Sequence, residues 1–369
     1  LLYSTVSHPT DLRTLEGTVV IDNPATGSEF SVTKGESRPI DERYVISLDE
    51  NSRADLHFFD GTSLHLRPGT RLSLELVRGP RFDLGVTPVT IWTRLLSGRA
   101  KIVTAAPPEA GGLRFLLRCP VLDADVSITG DGVYGVELEA SSAEVFANRG
   151  SAIVTAGGDS VRIVASERLT VKGGEKLGAP IADAREFLVN GDFQQALDVG
   201  WELFNDQGND GPSVDGQAIR TTDEGLPAVH FSRTGSNRNH CETIIEQKIG
   251  RDLPDPVDSL EVRAYLKLIN QSLSGGGYLG SEFPLIIRLK YRDMYGSENE
   301  WVKGFYYENP ENNPVGTADQ APKDSWYYYE SGNLLDTLDP KPFHIVSIRV
   351  CASGWDYESM LRWISLGVK

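Results

Sequence analysis

Residues 50–75 read ENSRADLHFFDGTSLHLRPGTRLSLE. Apolar side chains recur at every second position: Ala54, Leu56 and Phe58, then Leu64 and Leu66, then Leu72, Leu74 and Leu76. A period of two puts such residues on one face of an extended strand, with Asp55 and His57 on the face toward water. Asp60-Gly61 between the first two runs is a tight-turn signal, and Pro68-Gly69 supplies the next turn. The stretch therefore predicts short strands joined by turns. His57 and His65 fall on neighbouring strands of one hairpin, where they are expected to face solvent.

Moving outward, the same alternation continues through 99–104, 113–118, 133–139, 143–147, 152–155, 161–164 and 169–171. Helical periodicity is almost absent; its longest candidate, 181–188, is one short segment. At 369 residues the chain is too long for one ordinary core. The alternation breaks at residues 173–186 among small and charged side chains, which predicts domains at 1–178 and 187–369 with a linker at 179–186. Beyond it, strands are expected near 228–232, 243–249, 259–268, 283–291, 301–307, 325–329, 343–352 and 361–366, separated by long polar loops at 205–227 and 308–324. The fold class is all-β: stacked short strands first, then a β-sandwich of jelly-roll type.

The formal net charge is −16, which argues against nucleic acid as a partner because phosphate binding needs a basic footprint. Up to residue 182 there are 19 Lys and Arg against 23 Asp and Glu; after it there are 17 against 29. The second half thus carries −12 of the excess. Cys119, Cys241 and Cys351 form no Cys-x-x-Cys pair, so neither a zinc ribbon nor a dithiol redox site is indicated. Cys241 and Cys351 lie in expected strands, either paired with each other or as small buried hydrophobes. The segments 130–135 and 275–280 match Gly-x-Gly-x-x-Gly, but strand-like runs follow where a dinucleotide site needs a helix N-terminus. Both read as turn glycines. Nucleophile-elbow, phosphate-loop and His-Glu-x-x-His patterns do not occur, so no catalytic residue is indicated and the chain reads as a non-enzyme. No stretch is long and apolar enough to span a bilayer as a helix.

Three features of the opening stretch, Ser52-Arg53-Ala54, Phe59-Asp60-Gly61-Thr62 and Pro68-Gly69-Thr70 with Leu66 and Leu72, resemble the signature of the FecR family. Glu16-Gly17-Thr18-Val19, Leu96-Ser97-Gly98-Arg99-Ala100 and residues 149–178 resemble flanking parts, so the likeness covers about 14–178. It implies an extracytoplasmic β domain that holds partners through protein contacts, tied to a membrane by an anchor upstream of residue 1. A scaffold or sensor in the cell envelope, with a protein partner there, is the function this implies. The chain departs from the iron-regulatory members, since it carries no anti-sigma segment and a second β domain follows.

Asn190-Gly191-Asp192-Phe193 followed by Trp201 is similar to the entry of galactose-binding-like jelly rolls, the fold of many carbohydrate-binding modules. That resemblance implies a glycan ligand as the alternative function, and a structural calcium with Asn190 and Asp192 as candidate ligands. Aromatic residues are the candidate binding groups: Trp326, Tyr327, Tyr328 and Tyr329, with Trp355 and Tyr357. Alternation along 326–329 predicts two rings in the core and two facing outward, and an outward ring offers a flat face for a sugar.

Overall fold

The computed structural model describes residues 4–81, 87–105, 111–183, 185–208 and 214–369, and its regular structure is nearly all β-strand. Its contacts divide it into two compact units, Leu1–Ala184 and Arg185–Lys369. The expected linker carries two short strands: Ile181–Ala182 extends a sheet of the first unit, and Arg185–Glu186 pairs with the last strand of the second. Its Ala184 lies outside the described residues.

Two sheets build the first unit. Sheet A runs in order through Ser28–Thr33, Thr18–Asn23, Val45–Leu48, Arg71–Pro80, the first part of Val89–Thr104, Leu113–Cys119, Ala124–Ile128, Ser151–Ala156 and Asp159–Val164. Sheet B runs through Ser37–Ile40, Thr10–Glu16, Arg53–His57, Ser63–Leu66, the second part of Val89–Thr104, Gly132–Leu138, Ser142–Arg149 and Glu167–Lys172. The long strand Val89–Thr104 therefore belongs to both. Alternate residues of both sheets, including Leu56, Leu64, Leu72 and Leu74 of the opening stretch, meet in one apolar cluster. Each fully buried leucine contributes roughly 1.5–3 kcal/mol, so the alternation that marks the strands also supplies the core.

The hairpin is closed as its sequence requires. Ala54 pairs with Leu66 and Leu56 with Leu64. At the turn Gly61 has φ of 86°, and the Asp60 carboxylate accepts hydrogen bonds from the Thr62 backbone N–H at 3.0 Å and the Thr62 hydroxyl at 2.9 Å. A β-branched residue resists that backbone angle. The first Gly-x-Gly-x-x-Gly segment departs from its expected turn role: Gly132 and Gly135 lie inside the strand Gly132–Leu138. A Cβ on Gly135 would stand 2.2 Å from the Phe146 ring, so this glycine makes room for an aromatic on the neighbouring strand.

The second unit is a β-sandwich. Sheet C has the order Gln217–Asp223, Leu226–Arg233, Tyr357–Val368, Leu260–Gln271 and Trp326–Glu330. Sheet D has the order Glu202–Asp206, Cys241–Asp252, His344–Gly354, Leu285–Arg292, Glu298–Tyr306 and Asp319–Gln320. Phe305 of sheet D meets Tyr327 and Tyr329 of sheet C, and Thr243 of sheet D meets Tyr357 of sheet C, so these contacts mark the interior. Cys241 and Cys351 sit on adjacent strands but out of step: Cys351 pairs with Ile244, and Cys241 with Gly354. All three cysteines are free and buried.

Candidate binding faces

The aromatic strand Trp326–Glu330 keeps its alternation but not its expected exposure. Tyr327 and Tyr329 point between the sheets, where Tyr329 meets Phe305 edge-on at 5.0 Å and stacks on Trp301 at 6.5 Å. Trp326 and Tyr328 point to the outer face of sheet C. There Trp326 stacks on Tyr265 at 5.2 Å and Tyr328 on Trp363 at 6.3 Å. The Arg362 guanidinium lies 3.9 Å from the Trp326 ring centre, and the indole N–H donates to Asp223 at 2.9 Å. All four rings of 326–329 are only 5–8% exposed. The expectation of two outward, accessible rings is therefore corrected. Cross-strand neighbours about 5 Å apart stack on one another, which spends the faces a sugar would need.

Tyr357 is likewise interior, its hydroxyl 2.6 Å from the Thr243 hydroxyl, and burial pushes its pKa up. Trp355 is half-buried with the Arg238 guanidinium 5.7 Å from its ring. Asn190 clasps its own loop. Its amide donates to the carbonyls of Ala196 at 3.0 Å and Val199 at 3.2 Å, and its side-chain oxygen accepts from the Gln195 N–H at 3.0 Å. Among the described residues Asp192 accepts only a long bond from the Gln194 N–H, at 3.4 Å. Among the described residues no group of three or more His, Cys, Asp or Glu could hold a metal.

The outer face of sheet D is different: its side chains are largely polar and paired, Glu242 and Glu246 are each 8% exposed, and Phe204 at its edge reaches solvent. Glu242, Ile244 and Glu246 project from one strand, Arg349, Cys351 and Ser353 from the next, and Arg288 from the third. The Arg288 guanidinium grips the Glu242 carboxylate through two nitrogens, at 2.9 and 3.0 Å. Glu246 accepts from the Ser347 hydroxyl at 2.7 Å and from Arg349 at 2.9 Å. Burial alone would raise the Glu246 pKa, but the bonds from Arg349 and Ser347 hold it below the ordinary carboxylate value. Beneath the ions, Ile244, Ile286, Cys351 and Phe283 form an apolar floor with Tyr306 packed against it. At the sheet edge Phe204 is 37% exposed, with the Arg349 guanidinium 5.7 Å from its ring.

No family model matches the chain, and no curated protein matches it. Solved structures do. A candidate anti-sigma factor from Parabacteroides distasonis is 20% identical over 38% of this chain, with a TM-score of 0.29; the match spans 59% of that protein. A family 11 carbohydrate-binding module from Clostridium thermocellum, solved with a mixed-linked tetrasaccharide, is 12% identical over 49% of this chain and 94% of its own, with a TM-score of 0.29. A family 28 module specific for non-crystalline cellulose is 13% identical over 50% of this chain and 95% of its own, with a TM-score of 0.27.

Sequence reasoning missed one further cluster. His65 is not solvent-facing: it is 5% exposed, its Nδ1 is 2.8 Å from Asp55, which is 2% exposed, and its Nε2 is 3.1 Å from the Ser63 hydroxyl. Burial would raise the Asp55 pKa, but His65, His57 and Arg67 together hold it low. The connectivity is that of a Ser-His-Asp relay, yet Ser63 is fully enclosed. It ties the two hairpin strands together across the face opposite the apolar core. His57 is half-buried, and burial lowers its pKa. The hairpin register does put Asp55 and His65 side by side, and that was the available signal.

Proposed function

We propose that this chain is a non-catalytic, extracytoplasmic binding protein whose second unit takes an uncharged polysaccharide on the outer face of sheet D. One observation carries the reading: a half-exposed aromatic ring stands beside guanidinium and carboxylate groups already locked in pairs. A sugar offers a flat C–H face and adjacent hydroxyls that donate and accept at once. Phe204 supplies the apolar plane, while Arg349 with Glu246 and Arg288 with Glu242 offer donor and acceptor together. Because the groups are held in place before a ligand arrives, little ordering cost is added on binding. The net charge of −12 after residue 182 disfavours anionic polymers.

Affinity electrophoresis of the full chain through gels holding soluble neutral or acidic polysaccharides tests this. Retardation by a neutral polymer is expected, and is expected to be lost in Phe204→Ala and Arg349→Ala with the melting temperature nearly unchanged in Phe204→Ala. Migration unaltered by every neutral polymer would overturn the reading.

A further inference from the structure

We infer that the outer face of sheet A in the first unit is a docking surface for an acidic protein segment with apolar side chains. This stands apart from the saccharide face, being on another unit and built from other residues. The strand register sets Leu76, Trp92, Leu116, Ser127 and Ile153 side by side on five successive strands. Trp92 is 45% and Ile153 46% exposed, and Leu76 and Leu116 are half-buried. With strands about 4.8 Å apart, the stripe is about 19 Å long, the reach of some six extended residues. A stripe of this kind, centred on tryptophan, has the make-up of an interface centre rather than of ordinary surface.

The rows beside the stripe say what fits it. Arg78, Arg94 and Arg118 are each paired, with Glu42, Glu75 and Asp125. Two more arginines have no ion-pair partner among the described residues. Arg114 sits on the strand next to Trp92, and Arg162 lies directly opposite Ile153 with only the Ser151 hydroxyl at 3.0 Å. One uncompensated guanidinium therefore stands beside the middle of the apolar stripe, two residues from Leu116, and another at its Ile153 end, on a chain whose net charge is −16. Carboxylates flanking apolar side chains complement that arrangement. A second copy would present the same face, whose carboxylates Glu42, Glu75 and Asp125 are already paired with arginine. A glycan would find branched aliphatic side chains over most of the stripe, which give it no plane to stack on.

Panning a random dodecapeptide display library on the immobilised full chain, with Trp92→Ala as counter-screen, tests the assignment. Peptides combining Asp or Glu with Leu, Ile or Phe are expected to enrich. Synthesised, they should bind Trp92→Ala roughly 10- to 30-fold more weakly, with its melting temperature unchanged. Trp92→Phe should keep part of the affinity, and Arg114→Glu should abolish the preference for acidic peptides. No enrichment, enrichment of basic peptides, or undiminished binding to Trp92→Ala would overturn it. So would sedimentation showing a dimer of the chain that Trp92→Ala dissolves, since the occupant would then be a second copy.

Discussion

The two outer faces of the second unit carry similar chemistry and have opposite fates. On sheet C, Trp326, Tyr328, Tyr265 and Trp363 stand in cross-strand stacks, with Arg362 over Trp326 and tied to Asp223 and Glu224. On sheet D, Phe204 at the edge flanks two arginine–glutamate pairs with nothing stacked on its free side among the described rings, while Phe283 lies buried in the floor with Tyr306. The richer aromatic face is the closed one. Aromatic rings in adjacent registers satisfy each other first, so a dense cluster in sequence is a better sign of packing than of recognition. The sparser face keeps an exposed ring, Phe204, at its edge beside paired polar groups.

The largest expected effect lies on sheet C. Trp326→Ala removes the stack on Tyr265, the cover over Arg362 and the bond to Asp223, and should destabilise the second unit by about 3–5 kcal/mol. Thermal or urea unfolding measures it. A loss under about 1 kcal/mol would mean the face is open after all and would erase the contrast. Next in size is Asn190→Ala, which leaves the loop carbonyls of Ala196 and Val199 without their donor and should cost about 1–3 kcal/mol, whether or not calcium is present.

In the first unit the turn between the two short strands was legible residue by residue. Asp60-Gly61 marks it, Gly61 has the positive φ the motif demands, and Gly61→Val should cost about 1–3 kcal/mol. Alternation placed the strands because it is local. It also gave the division of the rings in 326–329 into two pointing inward and two outward. What alternation cannot give is what lies over a face. Arg288 reaches Glu242 across 46 positions, and Arg349 reaches Glu246 across 103. Those partners are set by strand order, which no short window of sequence contains. The buried Asp55–His65 pair shows the same limit from the other side: the hairpin was legible, with His57 and His65 on its neighbouring strands, but the pairing of His65 with Asp55 and their enclosure were not.

A smaller effect separates the units by pH. Asp55, Asp223 and Glu246 all have folded-state pKa values below the ordinary 3.8 for Asp and 4.5 for Glu. Groups depressed in this way add stability that is complete above those ordinary values and is lost as pH falls through the folded-state values. The second unit should therefore hold a constant melting temperature from neutral pH down to about 5, whereas the first, whose half-buried His57 is held below the ordinary 6.5, should begin to lose stability as pH falls below that value; both lose more below about 4. In Glu246→Gln the second unit's acid dependence should weaken while the first unit's stays unchanged.

The smallest change in stability should come with the largest change in binding. Phe204 is half in solvent, so Phe204→Ala should move unfolding by less than about 1 kcal/mol. Calorimetric titration of that variant with the neutral polysaccharide that retards the wild-type chain is the most direct test of the sheet D face. Affinity should fall at least roughly tenfold, the scale of losing an interface anchor. Full affinity in Phe204→Ala, with binding lost in Trp355→Ala, would place the saccharide elsewhere on the sandwich and contradict the assignment of sheet D.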